Sequence, residues 1–282
     1  MSESISLEKI DNDQIGILYL NNPESKNSMT LEMGLSFHRE LHKLASQDSP
    51  PRALIITGKN GLFSSGGDLG LLRSFMEKSQ KDNEEFMESF YRLFLEVRNM
   101  PFPVLAAVNG HAIGASLALA LACDLRYFVP DGKYAFNFVR IGIHPGMGSS
   151  FLARSVAGLH QAQELLLTGR QISGEEALRR GLCHAIYSKD EVLDRTIEVA
   201  REIASAAPRA VRALKQGLYR DTDLEKTLRY EASSQAENYL TEDFKEAMDA
   251  IQKKGPRNIE TNRLPGFSRP GGRIQRAGEE PG

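Results

Sequence analysis

Apolar and polar positions along the chain follow two rhythms. Ile15 to Leu20, IGILYL, and Ala53 to Thr57, ALIIT, are short uncharged runs bounded by polar or Gly-rich segments, and each predicts a buried strand. Between them Met33, Phe37, Leu41 and Leu44 recur at spacings of four, four and three, which places them on one helix face. Pro50 and Pro51 end that helix because neither can continue its hydrogen bonding. Residues 71 to 98 predict two more helical pieces around the polar KSQKDNEE, with Phe86, Phe90, Leu93 and Val97 on one side. Pro101 and Pro103 then reset the chain into VLAAVNGHAIGASLALALACD, Val104 to Asp124. This stretch reads as a strand, a turn at Asn109, Gly110 and Gly114, and a buried helix of small residues and Leu. The strand LRYFV, a PDGK turn, the aromatic segment YAFNF and a further Gly loop, GIHPGMGSS, follow.

Beyond residue 150 strand signals nearly vanish. Capping patterns at Ser173 with Glu176, at Thr222 with Glu225, and at Thr241 ahead of Glu242 and Asp243 announce successive helices. The expected organisation is an α/β core over residues 1–190, a helical region over 191–255 and a disordered tail over 256–282, where Pro, Gly and charge leave little to bury.

Composition narrows the partners. Thirty-five basic and 37 acidic residues give a formal charge of −2, and the basic residues are scattered, so neither nucleic acid nor an anionic membrane is expected. Cys123 and Cys183 sit in small or apolar surroundings and predict buried, inert thiols in a reducing compartment. The start, MSESISLEKIDND, has no basic segment followed by an apolar one, and the longest apolar run, around 112 to 123, is too short for a bilayer span; a cytoplasmic location is expected.

Two glycine turns carry the candidate chemistry: FSSGGDL at Phe63 to Leu69 and NGHAIGAS at Asn109 to Ser116, each after a strand. A helix that starts in a turn leaves N–H groups unpaired, with the positive end of its dipole behind them. If the two strands are neighbours, N–H groups from both turns converge on one oxygen. Such an oxyanion hole stabilises a thioester carbonyl as it becomes an enolate, by about 3 kcal/mol per well-placed donor.

With NNPESKNSMT, PVLAAVNGHAIG, ALACDLR, IGIHPGMG, LLLTGRQISGEEALRRGL and TEDFKEAMDAIQKK in this order, the turns make the chain resemble the crotonase superfamily, also called the enoyl-CoA hydratase/isomerase family, over roughly residues 5 to 255. The resemblance implies an α/β fold of the ClpP/crotonase type, a spiral of ββα units with a C-terminal helical extension that serves trimerisation. It also implies a homotrimer or dimer of trimers, a coenzyme A thioester as substrate, and no bound cofactor or metal. By position, the oxyanion donors are the N–H groups of Gly67 and Ala115. Ser65 meets the adenine through its backbone, Leu69 lies along the bound coenzyme A, and Lys26 and Lys254 approach its phosphates, Lys254 from near a neighbouring subunit. Asp68 and Asp124 match positions that hold backbone in place.

The sequence departs from that pattern where the chemistry matters. Hydratases of the family use two glutamates, which correspond here to Ala118 and Phe138, and the position where isomerases and dehalogenases carry their acid is Gly146. The expectation is an isomerase- or lyase-type step on an enolate rather than two-glutamate hydration. His144, beside Pro145, is the candidate proton carrier, with the substrate itself as the alternative; the same histidine can instead serve to hydrogen-bond loop backbone. Tyr134, Phe136, Phe138 and Met147 either line an acyl pocket or pack as ordinary strand residues. Two further readings stay open: an acyl-CoA-binding protein without catalysis, and a hydrolase using Ser116, which lies on the helix where the similar Clp-type proteases carry their nucleophile but follows Ala115 instead of preceding the N–H donor.

Overall fold

The structure is a computed structural model describing residues 4–219 and 223–253. In chain order it contains β1 (Ile5–Ile10), β2 (Ile15–Leu20), α1 (Leu31–Ala45), β3 (Ala53–Gly58), α2 (Leu69–Ser74), α3 (Gln80–Leu95), β4 (Val104–Val108), β5 (Ala112–Ile113) and α4 (Ala115–Ala122). There follow β6 (Leu125–Phe128), β7 (Tyr134–Ala135), α5 (Ser149–Thr168), α6 (Gly174–Arg179), β8 (Ala185–Ile186), α7 (Val192–Ser205), α8 (Pro208–Leu218), α9 (Leu224–Asn238) and α10 (Glu242–Lys253). Helix α5 is broken at Gly158, whose backbone is not helical.

The main sheet has the order β1-β2-β3-β4-β6-β8, with β1 antiparallel to β2 and every other pair parallel. A smaller layer is made of β5 and β7 and is extended by single bridges between Met29 and Gly67, Ser64 and Ala112, and Tyr134 and Ile172. From β2 to β6, each turn of the chain lays one strand on the large sheet and one short extended piece on the small layer. This repeat is the spiral.

The sheet is covered on both faces, which is why its parallel strands carry almost no charge. Alternate residues divide between two cores. Leu18, Leu54, Ile56, Val104, Ala106 and Phe128 pack towards α1, α3 and α4, while Ile15, Ile17, Ile55, Leu105 and Tyr127 meet Val192, Ala200 and Ala204 of α7. The α1 stripe Met33, Phe37, Leu41 and Leu44 is fully buried, and Phe37 meets Phe94 of α3 with ring centroids 5.5 Å apart.

The predicted strands and helices of the first half all occur. The KSQKDNEE stretch is split by the start of α3, where Ser79 caps the helix by accepting from the Asp82 N–H. Ser173 caps α6 through the Glu176 N–H, and Thr241 accepts from the Phe244 N–H ahead of α10. Thr222, Lys254 and the expected tail lie outside the described residues. The helices after residue 190 are part of the packed body: α7 covers one sheet face and α9 lies along α3, with Arg92 paired to Glu225 at 2.7 Å. Cys123 and Cys183 are free and buried, and burial pushes both thiols up to about 12. Among the described residues no helix is long and apolar enough to cross a membrane.

Candidate active site

Strands β3 and β4 are parallel neighbours, so the two glycine turns that follow them emerge at the same sheet edge. The Ser64 N–H donates to the His111 carbonyl at 3.1 Å, which draws the turns together. Ser116 completes the clasp: its buried hydroxyl accepts from the Ile113 N–H at 2.8 Å and lies 3.0 Å from the Ser64 carbonyl oxygen. Two glycines make this approach possible. Gly66 has φ +92°, and a Cβ there would stand 2.2 Å from the Ile113 oxygen; Gly114, with φ 58°, delivers the chain into α4. Ala115 is the first residue of α4, so its N–H has no intrahelical acceptor. The Met29 N–H donates to the Gly66 carbonyl at 2.7 Å, and this bridge leaves the Gly67 N–H turned away from the Met29 segment. Gly67 and Ala115 line the same pocket, whose volume is about 760 Å³ including its open mouth.

The sequence candidates separate into those the fold gathers and those it does not. Ser65, Gly67, Leu69 and Ala115 all line the pocket, and the carbonyl of exposed Lys26 accepts from the Ser65 N–H at 3.0 Å. Phe138 and Met147 line it as well. Tyr134 does not: its ring stacks on Phe128 at 4.3 Å and its hydroxyl bonds to the Val129 backbone, while Phe136 is buried outside the lining. His144 is also outside. Its Nδ1 is 2.7 Å from the Pro145 oxygen and its ring meets Tyr230 edge-on, so loop and aromatic contacts hold the imidazole while its neighbours Ile143 and Gly146 face the cavity. Burial lowers the His144 pKa below its ordinary value.

Both aspartates hold backbone. Asp68 accepts from the Leu71 N–H at 2.9 Å and from the Ser28 hydroxyl at 3.1 Å, which occupies both oxygens. Asp124 accepts from the Val104 N–H, Lys215 and Tyr219. Glu85 and Glu88 are engaged by Lys81 and Arg92, and neither lines the pocket beside Met87 and Tyr91.

The pocket has a polar wall that sequence reasoning missed. Tyr91 of α3 donates to the Gln235 Oε1 at 2.6 Å, and Tyr239 donates to the same oxygen at 2.9 Å. The Gln235 amide in turn donates to the His144 carbonyl at 2.8 Å. The Met147 N–H bonds to the Tyr91 hydroxyl oxygen, with Met147 held at φ 61°, in the left-handed region that a branched or bulky residue seldom occupies. Burial, with Tyr239 and Glu231 nearby, holds the Tyr91 phenol well above its usual range. Glu231 of α9 fastens the same loop from behind, accepting from the Gly148 N–H, the Ser150 N–H at 2.9 Å and the Ser150 hydroxyl at 2.6 Å. Burial pushes its carboxyl up to about 7. The available signal was polar Gln235 set between the fully buried Ala232 and Ala236, with Tyr239 one turn further on.

Comparison with known proteins decides the family. Residues 11–262 match the family described as enoyl-CoA hydratase/isomerase. The chain belongs to the enoyl-CoA hydratase/isomerase family. It is 30% identical over 262 residues to the crotonyl-CoA hydratase of Syntrophomonas wolfei, covering 91% of this chain and 98% of that one. It is 32% identical over 248 residues to the human mitochondrial enoyl-CoA hydratase domain-containing protein 3, covering 86% and 80%. A crystal structure of the enoyl-CoA hydratase from Bacillus halodurans superimposes with a TM-score of 0.81 at 26% identity, covering 88% of this chain and all of that one. The ββα spiral is thus the crotonase fold.

In this enoyl-CoA hydratase/isomerase family member, Ala118 is fully buried within α4 and outside the lining, and Phe138 presents an aromatic ring to the pocket. A Cβ at Gly146 would lie 2.4 Å from the Tyr91 hydroxyl and 2.7 Å from the Gln235 amide nitrogen. The space that a longer residue at 146 would need is filled by Tyr91 and Gln235. Among the described residues lining the pocket, Asp68 is the one carboxylate.

Proposed function

We propose that this protein binds an acyl-CoA thioester and forms its enolate by breaking a carbon–carbon bond at Cα, a lyase-type step, rather than by adding water across a double bond. One observation carries the reading: among the described residues, the pocket offers a protonated phenol, Tyr91, and no uncommitted carboxylate. Hydration and double-bond migration both require a base, and a phenol held above its usual range stays protonated, so it cannot serve as that base but can still protonate a far more basic carbanion.

Loss of carbon dioxide from a malonyl-type thioester needs no base. The bond from Cα to the carboxylate breaks, its electron pair moves through the thioester to the carbonyl oxygen, and carbon dioxide leaves. The Tyr91 hydroxyl then turns from the Gln235 Oε1 that accepts its proton in the resting site, delivers that proton to Cα and regains one from water. The N–H groups of Gly67 and Ala115 are the proposed oxyanion donors, each worth about 3 kcal/mol to the enolate. Apolar neighbours such as Phe90 and Phe138 desolvate the carboxylate and strengthen those hydrogen bonds. Ser65, Leu69, Lys26 and Lys254 are the proposed coenzyme A contacts, and the thioester serves as substrate without a bound cofactor. Assembly as a homotrimer or dimer of trimers belongs to the same proposal.

The test compares malonyl-type, 3-enoyl- and crotonyl-CoA as substrates of the wild type and Tyr91→Phe. The expected result is turnover of the carboxylated thioester, lowered roughly 100-fold in Tyr91→Phe with thioester binding retained. Crotonyl-CoA hydration that survives Tyr91→Phe would overturn the proposal.

A further inference from the structure

We propose that His38, His42 and Glu96 form a binding site for a divalent transition-metal ion of the zinc class, on the outer surface of α1 and apart from the pocket. His38 and His42 are one turn apart on α1 and therefore share a face. Glu96 reaches them from the 3-10 turn Glu96–Asn99 that follows α3. One ligand atom from each of the three residues lies within 4.8 Å of the others. The two imidazole rings are 4.3 Å apart, and the His42 Nε2 is 3.6 Å from the Glu96 Oε1.

The surroundings suit metal ligation in two independent ways. Asn99 donates to the other oxygen of Glu96 at 3.0 Å, which orients the carboxylate and leaves Oε1 facing the histidines. Hydrogen-bonded carboxylates of this kind are the usual outer support of a ligating side chain. His38 adds a second argument: among the described residues its Nδ1 is buried without a hydrogen-bond partner. A buried unpaired ring nitrogen is costly, and ligation of the ion through that nitrogen would offset the cost.

The donor set selects the ion. Two imidazoles and one carboxylate match zinc, nickel or copper(II), whereas magnesium and calcium prefer shells of oxygen. Three protein ligands leave a fourth position for water. Zinc–nitrogen bonds of about 2.0 Å require the ligand atoms to draw closer than they now stand, and His42, whose side chain is 54% exposed, is free to make that adjustment. A bound ion would tie α1 to the end of α3, the helix that carries Tyr91.

The experiment titrates zinc alone into metal-free, untagged full-length protein by calorimetry, with thermal melts alongside. Expected are one saturable equivalent, a raised melting temperature with zinc, and no response to magnesium. His42→Ala should weaken binding at least tenfold and abolish the thermal shift, and Glu96→Gln should weaken binding to a smaller extent. Because His42 is exposed, its variant should melt as the wild type does without metal, which separates lost ligation from lost folding. The buried cysteines do not compete for the ion. Absence of saturable zinc binding, or equal binding by His42→Ala, would overturn the proposal.

Discussion

The wall of the pocket made by the two glycine turns presents backbone N–H groups, whereas the wall made by α3 and α9 presents side chains. On the first wall, Gly67 and Ala115 owe their placement to the φ values of Gly66 and Gly114 and to the Ser116 clasp. On the second, Tyr91 and Gln235 are 144 positions apart in sequence and meet only because α9 packs along α3. The N–H groups of the first wall do not depend on which side chains its residues carry. The polar groups of the second change whenever one of its residues is exchanged.

Substitutions that strike one wall and spare the other test this division. The largest effect is expected from Gly66→Ala, because a Cβ 2.2 Å from the Ile113 oxygen at φ +92° cannot be accommodated without moving the turn. A loss of about 3 kcal/mol or more in denaturant unfolding is expected, together with loss of thioester turnover. Near-normal stability and turnover would show that the turn is not the fixed frame described above.

Next in size is the pH response of the side-chain wall. The Glu231 carboxyl sits at about 7 against an ordinary 4.5. A folded-state pKa raised in this way gives a stabilisation that is complete below about pH 4.5 and lost as the pH rises through about 7. Unfolding free energies measured from pH 4 to 8 should therefore fall by about 3 kcal/mol more in the wild type than in Glu231→Gln. Equal slopes would remove Glu231 as the source. The glycine-turn donors, being backbone groups, have no counterpart to this titration.

Ser116→Ala should have the smallest effect. It leaves the buried Ile113 N–H without its acceptor and is expected to cost about 1–2 kcal/mol of stability while thioester turnover persists. Selective loss of coenzyme A release with unchanged stability would instead restore the serine to a chemical role.

What the sequence revealed follows the same division. Strands β2, β3 and β4, helix α1 and both glycine turns were legible because each is written locally, as an uncharged run, a helical stripe or a turn residue. The two-residue strands β5, β7 and β8 are too short to show alternation. Tyr91, Gln235 and Tyr239 lie in helices where an aromatic or amide residue looks like ordinary packing, and their convergence is a property of tertiary contact. His144 shows the opposite case. Its residue type and loop suited proton transfer, but the loop turns its ring to the Pro145 carbonyl and Tyr230. Residue type was visible in the sequence, whereas side-chain direction had to come from packing.

The placement of Gln235 on α9 and of Tyr239 just after it also sets the order in which a chain leaving the ribosome completes its pocket. All six strands of the main sheet have been synthesised by Ile186, yet the wall that orients Tyr91 awaits Tyr239. At about 5–20 residues per second, a delay of seconds separates the sheet from the finished site. During that interval the nascent protein already has both glycine turns but lacks the partners that hold the Tyr91 hydroxyl, so the sheet precedes the finished pocket.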